Sequence, residues 1–225
     1  MTLLLYLPPL LLLLAARVYS ILPHPSHSKP RQKRTSPCKI AVFLGSGGHT
    51  SESLQLLSAL PARYAQRVYI LSSGDNFSQQ KAAAFELSLS SATTTALPGQ
   101  ATHTFLLLPR ARHVHQPLYL TPPTFLLSLL AALYNLTLLP LLRGERFADL
   151  LLLNGPGTCV TVLAAVYVSK FLGLPAPRTV YVESFARVRS LSLSGKLVRP
   201  FVDRFVVQWP EALGDGRGEC GGWLV

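Results

Sequence analysis

Two short glycine-rich stretches are the parts of this 225-residue chain best suited to chemistry. The first, Gly45-Ser46-Gly47-Gly48-His49-Thr50, directly follows an apolar run and opens a helix-like segment. Three glycines let the backbone turn sharply and approach a ligand closely. The free N–H groups of a helix start, aided by the helix dipole, favour an anion such as a phosphate. A turn that merely joins strand to helix is the competing interpretation. The stretch is not a dinucleotide fingerprint, because Thr50 fills the sixth position and no acid ends the second strand. Nor does it carry the GK[ST] of a P-loop. The second stretch, Asn154-Gly155-Pro156-Gly157-Thr158, also joins an apolar run to a helical one. Gly155 and Gly157 open its helix start, while Asn154 and Thr158 bring polar groups.

His49 can act as a general base, since a neutral imidazole titrates near cytosolic pH. It can equally hydrogen-bond a phosphate or cap the turn. Glu183, at the end of another apolar run, is a base, an acceptor for a sugar hydroxyl, or an ion-pair partner of Arg187 or Arg189. No D-x-D pair is present, so a metal-held sugar nucleotide of the two-carboxylate kind is unsupported. The absence of G-x-S-x-G and H-E-x-x-H argues against a serine hydrolase of that class and a zincin. Cys38, Cys159 and Cys220 are odd in number and lack a CxxC pair, which makes a disulfide framework or a cysteine zinc site improbable.

These residues need elements to hold them. From Cys38 onward, apolar strand-like runs alternate with helix-like segments. Strands are expected at Lys39 to Leu44, Arg67 to Leu71, Thr104 to Leu108, Asp149 to Leu153, Thr179 to Val182 and Arg204 to Val207. Helices are expected at His49 to Leu60, Phe77 to Leu87, Pro123 to Leu142 and Thr158 to Leu172, the third interrupted by Pro140. Ser88 to Thr102 reads as a mobile loop, and Gly214 to Val225 as an aperiodic tail. Near-continuous apolar strands alternating with helices imply a parallel sheet covered on both faces. The fold class is therefore α/β, with one Rossmann-like parallel-sheet domain. In such a sheet both glycine turns lie at the carboxyl ends of strands, where these folds bind ligands.

The composition places the domain beside a membrane. Forty-nine per cent of residues are hydrophobic, 46 are leucine and only 14% are charged, which excludes disorder and disfavours a freely soluble cytosolic enzyme. Leu3 to Leu14 holds nine leucines, favouring insertion by about 4–5 kcal/mol, and Thr2 to Leu22 is long enough to span. Pro8 and Pro9 are tolerable in lipid, and Arg17 near the end can snorkel. Of the net charge of +11, six come from Met1 to Ser51, which has no acid. Lys29, Arg31, Lys33, Arg34 and Lys39 follow the apolar run, so the positive-inside rule keeps the domain cytosolic. A cleaved signal peptide is disfavoured because no basic residue precedes the run. The expected parts are an anchor over 1–22, a basic proline-rich linker over 23–37, a domain over 38–210 and a glycine-rich tail over 211–225. The apolar stretch from Thr124 to Leu142 reads as buried in the fold or half-sunk at the membrane surface rather than spanning. A span would carry the next strand away from its sheet.

With the motifs in order, FLGSGGHTSE, PRARHVHQ, LLLNGPGTCV, VYVESFARVRSLSLSGK and DRFVVQWP, the chain from Lys39 to Pro210 resembles a family. It is that of the membrane-anchor subunit of the bipartite UDP-N-acetylglucosamine transferase of the dolichol pathway. The resemblance implies the acceptor half of a GT-B glycosyltransferase, similar to the amino-terminal domain of the bacterial enzyme that makes lipid II. It implies a soluble partner subunit that binds UDP-N-acetylglucosamine. The acceptor would be N-acetylglucosaminyl-diphosphodolichol, on the cytosolic face of the endoplasmic reticulum. Gly45, Ser46, Gly47, Gly48 and Thr50 would lie against the acceptor diphosphate or reacting sugar, and His49 would take the proton from its 4-hydroxyl. Asn154, Gly155, Gly157 and Thr158 would shape the neighbouring wall, and Arg110 and Arg112 would meet diphosphate oxygens. Transfer would invert the anomeric centre without a metal. No cofactor and no nucleic-acid partner are implied. In the family the carboxyl-terminal segment helps dock the partner, so Trp223, Leu224 and Val225 are docking candidates. Here, however, the intervening GDGRGECGG departs from the pattern. A tether that positions a cytosolic partner and contributes no catalytic residue is the alternative.

Asn76-Phe77-Ser78 and Asn135-Leu136-Thr137 are glycan acceptors only in a lumen. Neither is expected to be modified in a eukaryotic host, and an endoglycosidase-sensitive mass shift would overturn the cytosolic assignment.

Overall fold

The computed structural model describes residues 3–23, 37–61, 63–92, 102–113, 116–155 and 157–224. Helix α1 (Leu3–Ile21) precedes an alternating array: β1 (Lys39–Leu44), α2 (Gly48–Ser58), β2 (Gln66–Ser72), α3 (Asn76–Ala92) and β3 (Thr102–Leu108). There follow α4 (Thr121–Leu133), α5 (Leu139–Leu142), β4 (Leu150–Leu153), α6 (Thr158–Phe171) and β5 (Arg178–Val182). The chain closes with α7 (Leu193–Val198), β6 (Arg204–Val207), α8 (Pro210–Leu213) and β7 (Glu219–Cys220). The basic residues Lys29, Arg31, Lys33 and Arg34 lie outside the described residues.

All seven strands pair in parallel, in the order β3-β2-β1-β4-β5-β6-β7. The order reverses between β1 and β4, whose Ile40 and Val42 stand opposite Leu150 and Leu152. Strand residues alternate between two cores. Ala41, Phe43, Leu151 and Leu153 face Val162, Leu163 and Val166 of α6. Ile40, Val42 and Leu44 face Leu54 and Leu57 of α2. Burial on both faces explains why these strands read as unbroken apolar runs.

Several boundaries differ from the sequence expectation. Ser88 to Ala92 continue α3 instead of opening a loop, and β3 begins at Thr102. Glu86 explains the added order: its carboxylate accepts both Arg67 Nη1 contacts (3.0 and 2.8 Å) and the Tyr69 hydroxyl, clamping α3 to β2. Residues 93–101 of the expected loop lie outside the described residues. Pro140 does not interrupt its helix. Between α4 and α5 the Tyr134–Leu138 turn widens to π geometry, with the Leu139 N–H on the Tyr134 carbonyl, and Pro140 sits in the first turn of α5. The tail is not featureless either, since Glu219–Cys220 adds a seventh strand beside Val206 and Val207. Arg199 holds this return by donating to the Leu213 carbonyl (2.7 Å) and the Arg217 carbonyl (2.5 Å). Gly218, at φ +143°, lets the backbone pass Phe205, where a Cβ would lie 2.9 Å from the carbonyl oxygen.

Two apolar helices flank α6 outside the sheet. α4 meets it through a hydroxyl seam, Ser128 to Thr161 (2.9 Å), continued by Thr137 to Ser169 (2.7 Å). Ser128, Ala132 and Leu136 are buried on this inner face, whereas Leu126, Leu127, Leu130, Tyr134, Leu138 and Leu141 are exposed. Thr121–Leu142 is long and apolar enough to cross a membrane by length and composition. Its neighbours β3 and β4 nevertheless share one sheet, and its inner face is bonded to α6. α1 docks at the other end of α6: Arg17 donates to the carbonyls of Phe171 (2.9 Å) and Lys170 (2.6 Å). A guanidinium there adds charge-assisted bonds at the last carbonyls of the helix and complements the negative end of its dipole.

Cys38 and Cys159 are buried and Cys220 is exposed. Burial also pushes the Cys159 thiol far above the ordinary range, so it stays protonated at neutral pH. A maleimide added to the folded chain should label Cys220 and reach the other two only after denaturation. Comparable labelling of Cys159 in the native chain would contradict the packing of α6.

Candidate functional site

The first glycine turn hangs from the carboxyl end of β1. Gly45 is buried, whereas Ser46, Gly47 and Gly48 are exposed. Gly47 has φ +69°, a conformation that a side chain would strain, and α2 starts immediately after it with no side chain capping its N-terminus. Its first N–H groups are therefore available to an anion. Thr50 differs from its expected role. Its side chain is fully buried beneath the turn, where the hydroxyl donates to the Gly45 carbonyl and meets Ser78 Oγ at 2.6 Å. Ser78 in turn donates to Asp75 (2.8 Å). Thr50 thus shapes the turn from below and offers no side-chain contact to a ligand above it.

The second turn follows β4, next to β1 at the point where the strand order reverses. Asn154 is fully buried, and Gly155 has φ +118°. A Cβ on Gly155 would lie 3.1–3.4 Å from the His49 ring and its Cβ, so the missing side chain is what lets the imidazole lie against this backbone. Thr158 is buried and accepts the Ala111 N–H (3.3 Å), while Thr124 donates to the Ala111 carbonyl (2.8 Å). The loop bearing Arg110 and Arg112 is thereby pinned to the same edge. Thr158 serves as its anchor. Arg110 Nε donates to the Ser73 carbonyl (3.3 Å), and Arg112 turns back on the Gln116 carbonyl through Nε (3.2 Å) and Nη2 (2.9 Å). Among the described residues neither arginine bonds to a glycine turn. Pro156 and His115 lie outside the described residues.

One hydrogen-bonded chain joins the loops after β1, β4 and β5. His49 Nδ1 meets Asn154 Oδ1 at 2.8 Å, Asn154 Nδ2 donates to Glu52 Oε2 at 2.8 Å, and Ser184 Oγ donates to Glu52 Oε1 at 2.9 Å. Glu52 and Ser184 are absent from the sequence-derived site. The signal available was the His49-x-x-Glu52 spacing, which sets two side chains on one helix face.

Glu183 corrects an expectation. Its carboxylate accepts the backbone N–H groups of Ser184 (3.1 Å) and Ser192 (3.0 Å) and the Ser192 hydroxyl (3.0 Å), and the residue is almost completely buried. Gly195 packs so closely that a Cβ there would overlap Glu183 Oε2. Glu183 therefore organises the loop between β5 and α7, and both Arg187 and Arg189 remain exposed without bonding it. Burial, reinforced by the nearby Cys159 and Glu183, pushes the Tyr181 hydroxyl well above the usual phenol range. It stays a donor, reaching the Gly155 carbonyl at 3.5 Å beneath the turn. Among the described residues no three His, Cys, Asp or Glu side chains gather as a metal site would require.

At the carboxyl edge of the outer strands Trp223 is 74% exposed, with its ring edge-on to Trp209 (5.7 Å between centroids) and Phe185 (6.1 Å). Leu224 folds inward, its N–H on Gln208 Oε1 (3.2 Å), and Val225 lies outside the described residues.

The family described as oligosaccharide biosynthesis protein Alg14 like matches residues 40–217. The "UDP-N-acetylglucosamine transferase subunit ALG14" of Cryptococcus neoformans var. neoformans is 44% identical over 206 residues, 90% of this chain and 87% of that protein. The protein of the same description from Schizosaccharomyces pombe is 45% identical over 187 residues, 83% of this chain and 80% of its own. The one from Mus musculus is 37% identical over 205 residues, 89% and 87% respectively. Among solved structures, MurG of Acinetobacter baumannii shares the fold at a TM-score of 0.51 and 12% identity, over 82% of this chain. This chain spans only 45% of that protein.

The two glycines of the second turn should behave differently. Gly155→Ala should cost about 1–3 kcal/mol through backbone strain and displace the His49 ring. Gly157, with φ −53° and open space at its Cβ, should accept alanine with a change within about 0.5 kcal/mol. Thermal melts of the purified variants check this, and equal shifts would contradict the close approach of His49.

Proposed function

Because the chain belongs to the family of Alg14-like oligosaccharide biosynthesis proteins, we propose that it is the membrane-anchored acceptor subunit of a two-part N-acetylglucosaminyltransferase. A soluble partner holds UDP-N-acetylglucosamine, and the acceptor is N-acetylglucosaminyl-diphosphodolichol. The relatives' description as transferase subunits supports the partner. One observation carries the reading of the site: the two glycine turns meet where the strand order reverses, with the His49 ring held between them and the open N-terminus of α2 alongside. In open α/β sheets that crevice is where ligands bind.

The geometry supports the following division of labour. The N–H groups at the start of α2 and the exposed Ser46–Gly48 backbone receive the diphosphate of the acceptor. His49 takes the proton of the attacking hydroxyl as its oxygen bonds to the anomeric carbon, and UDP leaves with the electrons of the broken C–O bond. A single displacement inverts that centre. Gly155 makes room for the imidazole, and Arg110 and Arg112 lend positive charge to the edge through the guanidinium N–H groups that the loop leaves unused. Trp223, exposed at the carboxyl end, is an anchor for the partner subunit, since an exposed tryptophan suits a buried contact in a complex.

The membrane attachment is read from α1 and the bare outer face of α4. α1 spans the bilayer, and the exposed leucines of α4 rest in the headgroup region, with the domain on the cytosolic side of the endoplasmic reticulum. Both helices pack on α6, which supports one continuous membrane-facing side.

The test is transfer from UDP-N-acetylglucosamine to a diphosphate-linked lipid acceptor by the co-purified complex. His49→Gln should retain the partner and lose about 100-fold or more in turnover. Gly48→Trp should leave the fold intact, because no atom lies within 4 Å of a Cβ there, and should retain the partner yet block the crevice. Normal turnover by both variants would reduce the chain to a tether.

A further inference from the structure

We propose that Glu52 and Asn154 are positioning residues that fix the tautomer of His49, a role that rests on His49 accepting the proton as proposed for the transfer. Donor and acceptor capacities settle the orientation of each group. An ionised carboxylate can only accept, so the edge of the Asn154 amide that meets Glu52 Oε2 at 2.8 Å is its NH2. The amide oxygen therefore faces His49 Nδ1, also at 2.8 Å, and accepts its proton. With Nδ1 protonated, the lone pair of the neutral imidazole is on Nε2, which has no hydrogen-bond partner among the described residues. That is the nitrogen left to accept a proton from a substrate hydroxyl.

Turning the amide over would set its oxygen against the Glu52 carboxylate and its NH2 against Nδ1. The proton would then sit on Nε2, and the ring would present a donor where the reaction needs an acceptor. Asn154 is fully buried, so water cannot make up for a wrong orientation. Glu52 is itself held, since Oε1 accepts the Ser184 hydroxyl at 2.9 Å. The carboxylate thus acts through the amide on a ring to which it makes no hydrogen bond among the described residues, across 102 residues of sequence between Glu52 and Asn154. The proton and electron balance of the transfer is unchanged by this arrangement. His49 gains one proton on Nε2 and keeps the one on Nδ1, which goes on donating to the Asn154 oxygen.

A carboxylate–amide exchange tests the assignment in the full complex with its catalytic subunit. Glu52→Gln leaves the Asn154 amide free to turn over and should lower kcat about 10-fold, with the acceptor KM little changed. Asn154→Asp sets two carboxylates face to face and should lower kcat at least as far. In the double variant E52Q/N154D every bond can be remade. The new amide at position 52 accepts the Ser184 hydroxyl through its oxygen and donates through its NH2 to the new carboxylate at position 154. That carboxylate accepts from His49 Nδ1. The kcat of the double variant should recover to within about threefold of the parent. Nitrogen NMR of histidine-labelled complex, with the His49 signals identified by their loss in His49→Gln, should find the proton on Nδ1 in the parent and the double variant. The proposal is overturned if the parent carries that proton on Nε2. It also fails if the double variant is no faster than the poorer single while all three variants melt with the parent and retain the partner. If the proton sits on Nδ1 as expected but His49→Gln turns over normally, the positioning stands and the assignment of His49 as base falls.

Discussion

The hydrogen bond between His49 and Asn154 crosses the gap where the sheet changes direction, and the candidate site depends on it. On one side of β1 the chain winds toward β2 and β3, on the other toward β4 and beyond. In open α/β sheets such a reversal sends neighbouring loops to opposite faces, and ligands bind between them at the carboxyl edge. A crevice whose walls could drift would be a poor place to hold a reactive group. Here Asn154 binds the first residues of α2 twice, through His49 and through Glu52, and Ser184 brings the third loop to the same carboxylate. Glu183 beneath them fixes the course of that third loop. Buried polar chains of this kind are stiff only when every member is satisfied. Glu52, Asn154 and Glu183 meet that condition with named partners.

α6 links the candidate site to the face on which α1 and α4 pack. Its amino-terminal end follows the second glycine turn, and its carboxyl-terminal carbonyls receive Arg17 of α1. Fourteen residues of helix span about 21 Å, so the Arg17 contact and the second glycine turn are that far apart along one rigid element. α4 runs beside α6 and is joined to it by hydroxyl pairs, one from α4 itself and one from the π turn that follows it. In an apolar surrounding such pairs are preferable to a purely aliphatic contact, because they give the helix pair a defined register while leaving the leucines on the outer face. The same domain can then present a lipid-compatible side and a polar crevice without either disturbing the sheet.

Much of this was legible from local pattern. The apolar runs at Lys39–Leu44 and Leu150–Leu153 read as buried strands because burial on both faces removes polar residues from both parities. The glycine turns were visible because positive φ at Gly47 and Gly155 demands that residue type. What misled was also physical. Thr50 and Thr158 sit inside polar motifs, yet backbone geometry turns both hydroxyls inward, one to the Gly45 carbonyl and one to the Ala111 N–H. Glu183 at a strand end had no local sign that loop N–H groups would close over it. The glycine-rich tail lacked periodicity, because a two-residue strand is too short to have one.

By itself the sequence determined the alternation of strands and helices, the parallel sheet it forces, the glycines at the two turns and the imidazole beside one of them. These follow from period, propensity and the steric demands of single residues, all of which act within a few positions. Only the tertiary structure decided which polar groups meet. Glu52 finds Asn154 and Arg17 finds the end of α6 across more than 100 residues. No local rule encodes such encounters, because the donors and acceptors are chosen by the packing of the sheet that lies between them.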